Sequence, residues 1–115
     1  MIGHDIVKQK LYTDKGLKTL SSDDADYCAR YEGDSVSRDS SYHQGTVWPW
    51  LIGEYASAYK HLYKKDFVCT NMEELLDDGC VGSVAEIYDA EEPRYANGAL
   101  AQAWSVSALI TILFD

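Results

Sequence analysis

An all-α fold is predicted for this chain, as layers of a larger helical toroid, and three observations predict it. Trp48, Leu51, Ile52, Tyr55, Ala56, Tyr59, Leu62 and Tyr63 recur at intervals of three and four, the broad apolar stripe of an amphipathic helix lying on a core. The final run ALAQAWSVSALITILF, from Ala99 to Phe114, is apolar almost all the way round, the pattern of a helix buried on every side. Between Thr13 and Gly45 no apolar period survives, so a long loop joins the helical elements. The 115 residues hold few elements that could bury the final helix. The chain is therefore expected to be a single unit, residues 1–115, forming the last part of a larger barrel, with helical hairpins and a long active-site loop.

Taken in order, residues 1–12 read as the end of an amphipathic helix. Ile2, Ile6, Val7 and Leu11 keep helical spacing, Lys8 and Lys10 suit a helix C-terminus, and Gly16 follows as a stop signal. The polar stretch from Thr13 to Gly45 interleaves Tyr27, Tyr31 and Tyr42 with Arg30 and Arg38, unlike an aromatic-poor disordered segment. It reads as an ordered loop held by a scaffold. The helix carrying the apolar stripe runs down to Lys64 and Lys65, with Pro49 in its first turn, where a missing N–H is no loss. Thr70-Asn71-Met72-Glu73 has the form of a capping box before a short helix that ends at Gly79. Residues 80–93, CVGSVAEIYDAEEP, read as an irregular or locally extended segment, and Asn97-Gly98 opens the final helix.

Composition narrows the function. With 19 acidic and 10 basic side chains the formal charge is -9, which disfavours nucleic acid and anionic membranes as partners and suits a neutral polyol. Cys28, Cys69 and Cys80 show no metal-ligand spacing, no cofactor is implied, and a reduced cytoplasmic setting with no signal peptide is the expectation. The apolar C-terminus is too short and too interrupted for a membrane span. Apolar surface left open is expected to be covered by a second copy, giving a homo-oligomer, or by upstream hairpins of the barrel.

Chemistry concentrates in YHQGTVWPWL, from Tyr42 to Leu51. Aromatic side chains at a helix start commonly join the core. Here Tyr42, His43, Gln44, Trp48 and Trp50 crowd around the Gly45-Thr46 step, offering flat apolar faces beside hydrogen-bonding groups, a combination that suits a sugar.

The segments GLKTLSSDD, RYEGDSVSRDSSYHQGTVWPWLIGEY, GSVAEIYDAEEP and GALAQAWSVSAL, in this order from Gly16 onward, resemble the C-terminal glucosidase domain of glycogen debranching enzymes, the amylo-α-1,6-glucosidase type. A more distant similarity, an AE motif followed by a W-S helix, links them to bacterial and fungal glucoamylases. The resemblance implies an (α/α)6 barrel and inverting hydrolysis of α-glucosidic bonds, here at α-1,6 branch points of glycogen or limit dextrin. It implies that Glu86 is the general base, that Tyr42, His43, Gln44, Thr46, Trp48 and Trp50 hold the sugar with Arg30, Glu32 and Asp39 beside them, and that Gln102 and Trp104 lie on the helix behind the pocket.

Inverting hydrolysis needs two carboxyl groups, an acid for the leaving oxygen and a base for water, about 6.5–9.5 Å apart. Val84, Ala85 and Ile87 flank Glu86, whereas most other acids sit in charge clusters. By resemblance the acid belongs to an earlier part of the barrel, and no motif assigns that role to Asp34, Asp39 or Glu54. The isolated chain is accordingly expected to be inactive. A second reading is a non-catalytic helical remnant, or a carbohydrate-binding and assembly module. The segment from Lys65 to Gly79 is also short for a full outer helix with its connections.

Overall fold

Helix α1 (Ile2–Lys10) is the first element of the computed structural model, which describes residues 2–114. Lys8 and Lys10 fall in its last turn, as the sequence pattern expects. Its buried residue is His4, whose ring stacks on Tyr55 with centroids 4.5 Å apart. The chain then turns back on itself. Strand β1 (Tyr12–Thr13) pairs with β2 (Gly16–Lys18) across Asp14-Lys15, so Gly16 belongs to a hairpin and does not act as the helix stop.

A short helix, α2 (Ser35–Ser41), interrupts the long polar loop; its cap is Asp34, whose carboxylate accepts the Ser37 N–H at 2.8 Å. That bond holds the Asp34 carboxyl below its ordinary range. Strand β3 (Val47–Trp48) leads through Pro49 into α3 (Leu51–Tyr63), which ends on Lys64 in the left-handed conformation. Helix α4 (Met72–Asp78) stops before Gly79 as expected, but the capping box does not form. Asn71 is the cap residue and makes no side-chain cap bond; its amide donates to the Asp14 carbonyl oxygen instead. Strands β4 (Ile87–Tyr88) and β5 (Ala96–Asn97) follow, and α5 (Ala103–Phe114) is the last element.

The five strands form one antiparallel sheet in the order β1-β2-β3-β4-β5. This overturns the all-α, (α/α)6-toroid expectation. Alternation is read over runs of about four to eight residues, whereas each of these strands contributes two or three, so none leaves a period in the sequence. The strands are sites where loops from distant parts of the chain meet and satisfy one another's backbone groups. The locally extended reading of residues 80–93 is the part of the sequence analysis that touched the sheet, since β4 lies there.

The core forms between this sheet and the helices. Ile52, Leu75, Val84 and Tyr88 are fully buried, and Leu109 is nearly so. Helix α5 packs on α3, with Ala108 close against Gly53, and buries Ser105, Ala108 and Leu109, while Trp104, Ile110, Leu113 and Phe114 are exposed. The all-round apolar helix is thus buried on one face among the described residues, and its outer face is open.

A buried lysine lies beside this core. The Lys15 side chain is 7% exposed, and its ammonium donates to Asp78 at 2.7 Å and to Glu74. The same Asp78 accepts the Tyr88 hydroxyl at 3.2 Å. Burial alone would lower the Lys15 pKa, but the hydrogen bonds and charges of Asp78 and Glu74 outweigh it and raise it above 10.5. Burial, then the Asp78 charge, likewise raises Tyr88. The folded state therefore holds these protons more tightly than the unfolded chain. Their stabilisation is complete below the ordinary values and is lost as pH rises through the raised ones. Thermal melts are expected to show a midpoint that falls from about pH 10 upward, less steeply in Lys15→Met. A midpoint rising over that range would contradict the network.

Candidate functional site

Glu86 stands one residue before β4, and the backbone on either side of it is tied down. Gln102 N–H donates to Val84 O at 2.8 Å, the Ser105 hydroxyl donates to Ala85 O at 3.0 Å, and Glu86 N–H donates to Ala99 O at 2.9 Å. Val84, Ala85 and Ile87 are fully buried. The main chain is pinned by apolar neighbours while the half-buried carboxyl side chain reaches outward. There its Oε2 accepts the Ala99 N–H at 2.9 Å.

Sheet register decides what stands near this carboxylate. Val47 lies opposite Tyr88 in the antiparallel β3–β4 pair, so the chain leaving β3 toward Trp50 runs beside the chain entering β4 from Glu86. Ile87 lies opposite Asn97, which brings Gly98 and Ala99 to the same end. Trp50 stacks on Trp104 of the first turn of α5, with centroids 4.3 Å apart and planes 13° from parallel. Glu86, Trp50, Gln102 and Trp104 are thereby gathered at one end of the sheet. Trp104 is 54% exposed and caps the indole of Trp50. Trp104→Ala is expected to lower stability by about 1 kcal/mol, the size of an aromatic pair; urea unfolding with an unchanged midpoint would refute the stack.

The remaining residues of the predicted sugar motif form a second aromatic group. His43 stacks on Trp48 at 5.1 Å, and Tyr42 meets Trp48 edge-on at 4.8 Å. Trp48 Nε1 donates to Tyr42 O and to Thr46 Oγ1, both at 3.1 Å, and the Thr46 hydroxyl donates to Tyr42 O at 2.6 Å. Trp48 and Thr46 are buried and turn their polar atoms inward, so they act as supports. Exposed His43 and Gln44, with half-buried Tyr42, make up the side of this group open to solvent.

The weaker candidates divide differently. Arg30 donates to Asp89 Oδ2 at 3.2 Å and to the carbonyl oxygens of Glu92 at 2.6 Å and Pro93 at 2.5 Å, tying its loop to the β4–β5 connection. Glu32 and Asp39 are exposed, and their carboxylates accept no side-chain bond among the described residues. Asp89 is a residue the sequence analysis passed over. It is 4% exposed and accepts Tyr31 N–H at 2.9 Å and the Asn97 amide at 3.3 Å besides Arg30. In sequence it runs into Glu91 and Glu92, so it looks like part of a solvated acidic cluster. Ala99 and Ser105 offered no signal either, because Ala99 contributes a backbone N–H to the Glu86 carboxylate and Ser105 a small hydroxyl to the Ala85 carbonyl oxygen.

Nearby, the phenol of Tyr27 donates to Glu91 at 2.5 Å, and this bond, ahead of that from Lys18, lowers the Glu91 pKa. Among the described residues no group of three or more His, Cys, Asp or Glu side chains is placed to hold a metal ion, and Cys28, Cys69 and Cys80 are free thiols. No described helix is long and apolar enough to cross a membrane.

A family model described as amylo-alpha-1,6-glucosidase matches residues 3–111, a span that takes in all but the first residue of α1, the whole sheet, both aromatic groups, Glu86 and most of α5. On that match the chain belongs to the amylo-alpha-1,6-glucosidase family, that of the C-terminal domain of glycogen debranching enzymes.

Proposed function

We propose that this chain carries the water-activating half of an inverting α-1,6-glucosidase site acting on the branch points of glycogen or limit dextrin, with Glu86 as general base. The observation that carries the reading is Glu86 itself, a half-buried carboxylate on a rigid backbone, with one oxygen bound to Ala99 and an aromatic platform at the same end of the sheet. In the reaction the general acid protonates the glycosidic oxygen as the C1–O bond breaks. Glu86 takes a proton from water as the water oxygen bonds to C1 on the opposite face.

Trp50 and Trp104 offer apolar faces for sugar C–H groups, and Tyr42, His43 and Gln44 offer hydrogen bonds to hydroxyls. Exposed Ile110, Leu113 and Phe114 on α5 give a surface on which the remainder of a glucosidase domain would pack, bringing the general acid with it. The 115-residue chain alone is accordingly expected to release no glucose. The test is the anomer first released from a branched limit dextrin by a domain containing this chain, followed by proton NMR. Initial β-glucose is expected; initial α-glucose would mean retention and would overturn the role given to Glu86.

A further inference from the structure

We propose that the Gly98-Ala99 turn is a positioning element for Glu86, fixing which carboxylate oxygen receives the proton of the attacking water. The inference rests on the reading of Glu86 as base. Glu86 and Ala99 bond reciprocally: Glu86 N–H donates to Ala99 O at 2.9 Å, and Ala99 N–H donates to Glu86 Oε2 at 2.9 Å. One residue thus holds both the backbone and the side chain of the glutamate, which limits the torsions left to the carboxyl group. Among the described residues Oε2 is the oxygen that accepts a hydrogen bond, and Oε1 is left to meet water. A neutral N–H fixes direction without neutralising the charge that base catalysis needs.

Gly98 makes this contact feasible. Its φ is +68°, a conformation side chains rarely adopt, and a Cβ there would stand 3.0 Å from Glu86 Oε2 and 3.1 Å from its Cδ. A methyl group at position 98, which would also meet Ile87 Cγ1 at 3.2 Å, would force the carboxylate to give by a few tenths of an ångström and so strain its bond to the Ala99 N–H. Gly82 supplies a matched control, because its φ is +80° but nothing lies within 4 Å of its would-be Cβ. Gly98→Ala and Gly82→Ala share the backbone strain, and the first alone adds the collision with the carboxylate.

The test follows the Ala99 amide of the full 115-residue chain by nitrogen–proton NMR as the carboxylate is titrated. In wild type and Gly82→Ala the Ala99 resonance is expected to shift with protonation of Glu86, and in Glu86→Gln that shift disappears. In Gly98→Ala it is lost or strongly reduced. Should Gly98→Ala not fold, the comparison of wild type with Glu86→Gln still decides whether the bond exists. In an active glucosidase domain Gly98→Ala is expected to lower kcat by about 10–100-fold at little-changed KM, the scale of a small misplacement of a reacting group, while Gly82→Ala leaves kcat unchanged. An Ala99 amide that moves equally in wild type and Glu86→Gln, or equal kcat for the two glycine variants, overturns the positioning. Full activity in Glu86→Gln beside an Ala99 amide that tracks the carboxylate overturns the base assignment, and with it any catalytic meaning of the contact. Loss of activity in Glu86→Gln beside an indifferent Ala99 amide overturns the positioning alone.

Discussion

Replacing Glu86 with glutamine in an active glucosidase domain is expected to lower kcat by about 10²–10⁴-fold, the range for loss of a general base, while KM for limit dextrin stays nearly constant. Glutamine keeps the length of the side chain and can still accept the Ala99 N–H through its amide oxygen, so the local structure has no reason to change. What it loses is the capacity to take a proton. Because that capacity matters only as the water O–H bond breaks, the loss falls on the transition state and not on substrate binding. Steady-state kinetics on a branched limit dextrin make the check. A kcat within about threefold of wild type would remove Glu86 from the chemistry.

Gly45→Ala is expected to unfold the site from its opposite side. Gly45 has φ +142°, and a Cβ there would lie 2.2 Å from Cys28 O and 3.1 Å from the Tyr27 ring. The obstacle at 2.2 Å is a backbone carbonyl, which no rotamer change can move. Around this point the long loop is fastened to the chain entering β3: Cys28 N–H donates to Gln44 O at 2.6 Å, Gly45 N–H to the Thr19 hydroxyl at 2.9 Å, and Thr19 N–H to Thr46 O at 3.0 Å. Separating these strands of chain breaks the bonds together and frees Tyr42, His43 and Trp48 from their supports. The expected loss exceeds about 4 kcal/mol, the level reached when a substitution combines backbone strain with an unrelieved clash. Urea unfolding should show the cooperative transition displaced or abolished. A variant within about 1 kcal/mol of wild type would contradict the docking of the loop.

How much of this was legible in the sequence follows from the length of each pattern. Helices α1 and α3 repeat an apolar spacing, α5 is a nearly unbroken apolar run, and α4 ends at the glycine that marks it. The sheet was not legible, since pairs such as Val47-Trp48 and Ile87-Tyr88 become strands only when a distant segment lies beside them. Helix α2 escaped because SVSRDSS buries one serine and displays no apolar face; Asp34 three residues before Ser37 is the local sign that it begins. In the candidate site, the apolar flanks of Glu86 and the aromatic density around Trp48 were visible along the chain. The roles of Ala99, Asp89 and Ser105 were not, because each acts across a fold-made contact between segments remote in sequence. For the same reason Trp48 and Trp50, two residues apart, separate into different aromatic groups with different partners.

Azide rescue of Glu86→Ala tests the central claim most directly. Shortening the side chain removes the proton acceptor and opens room beside the anomeric carbon. Azide is a small anion that attacks without giving up a proton, so it has no need of the base. It bonds to C1 on the face opposite the leaving group, while the general acid protonates the departing oxygen as the C1–O bond breaks. If Glu86 activates water, azide restores turnover of a branched α-glucan and the product is β-glucosyl azide. If turnover stays at the level of the variant, or the azide product is the α-anomer, Glu86 is not the base.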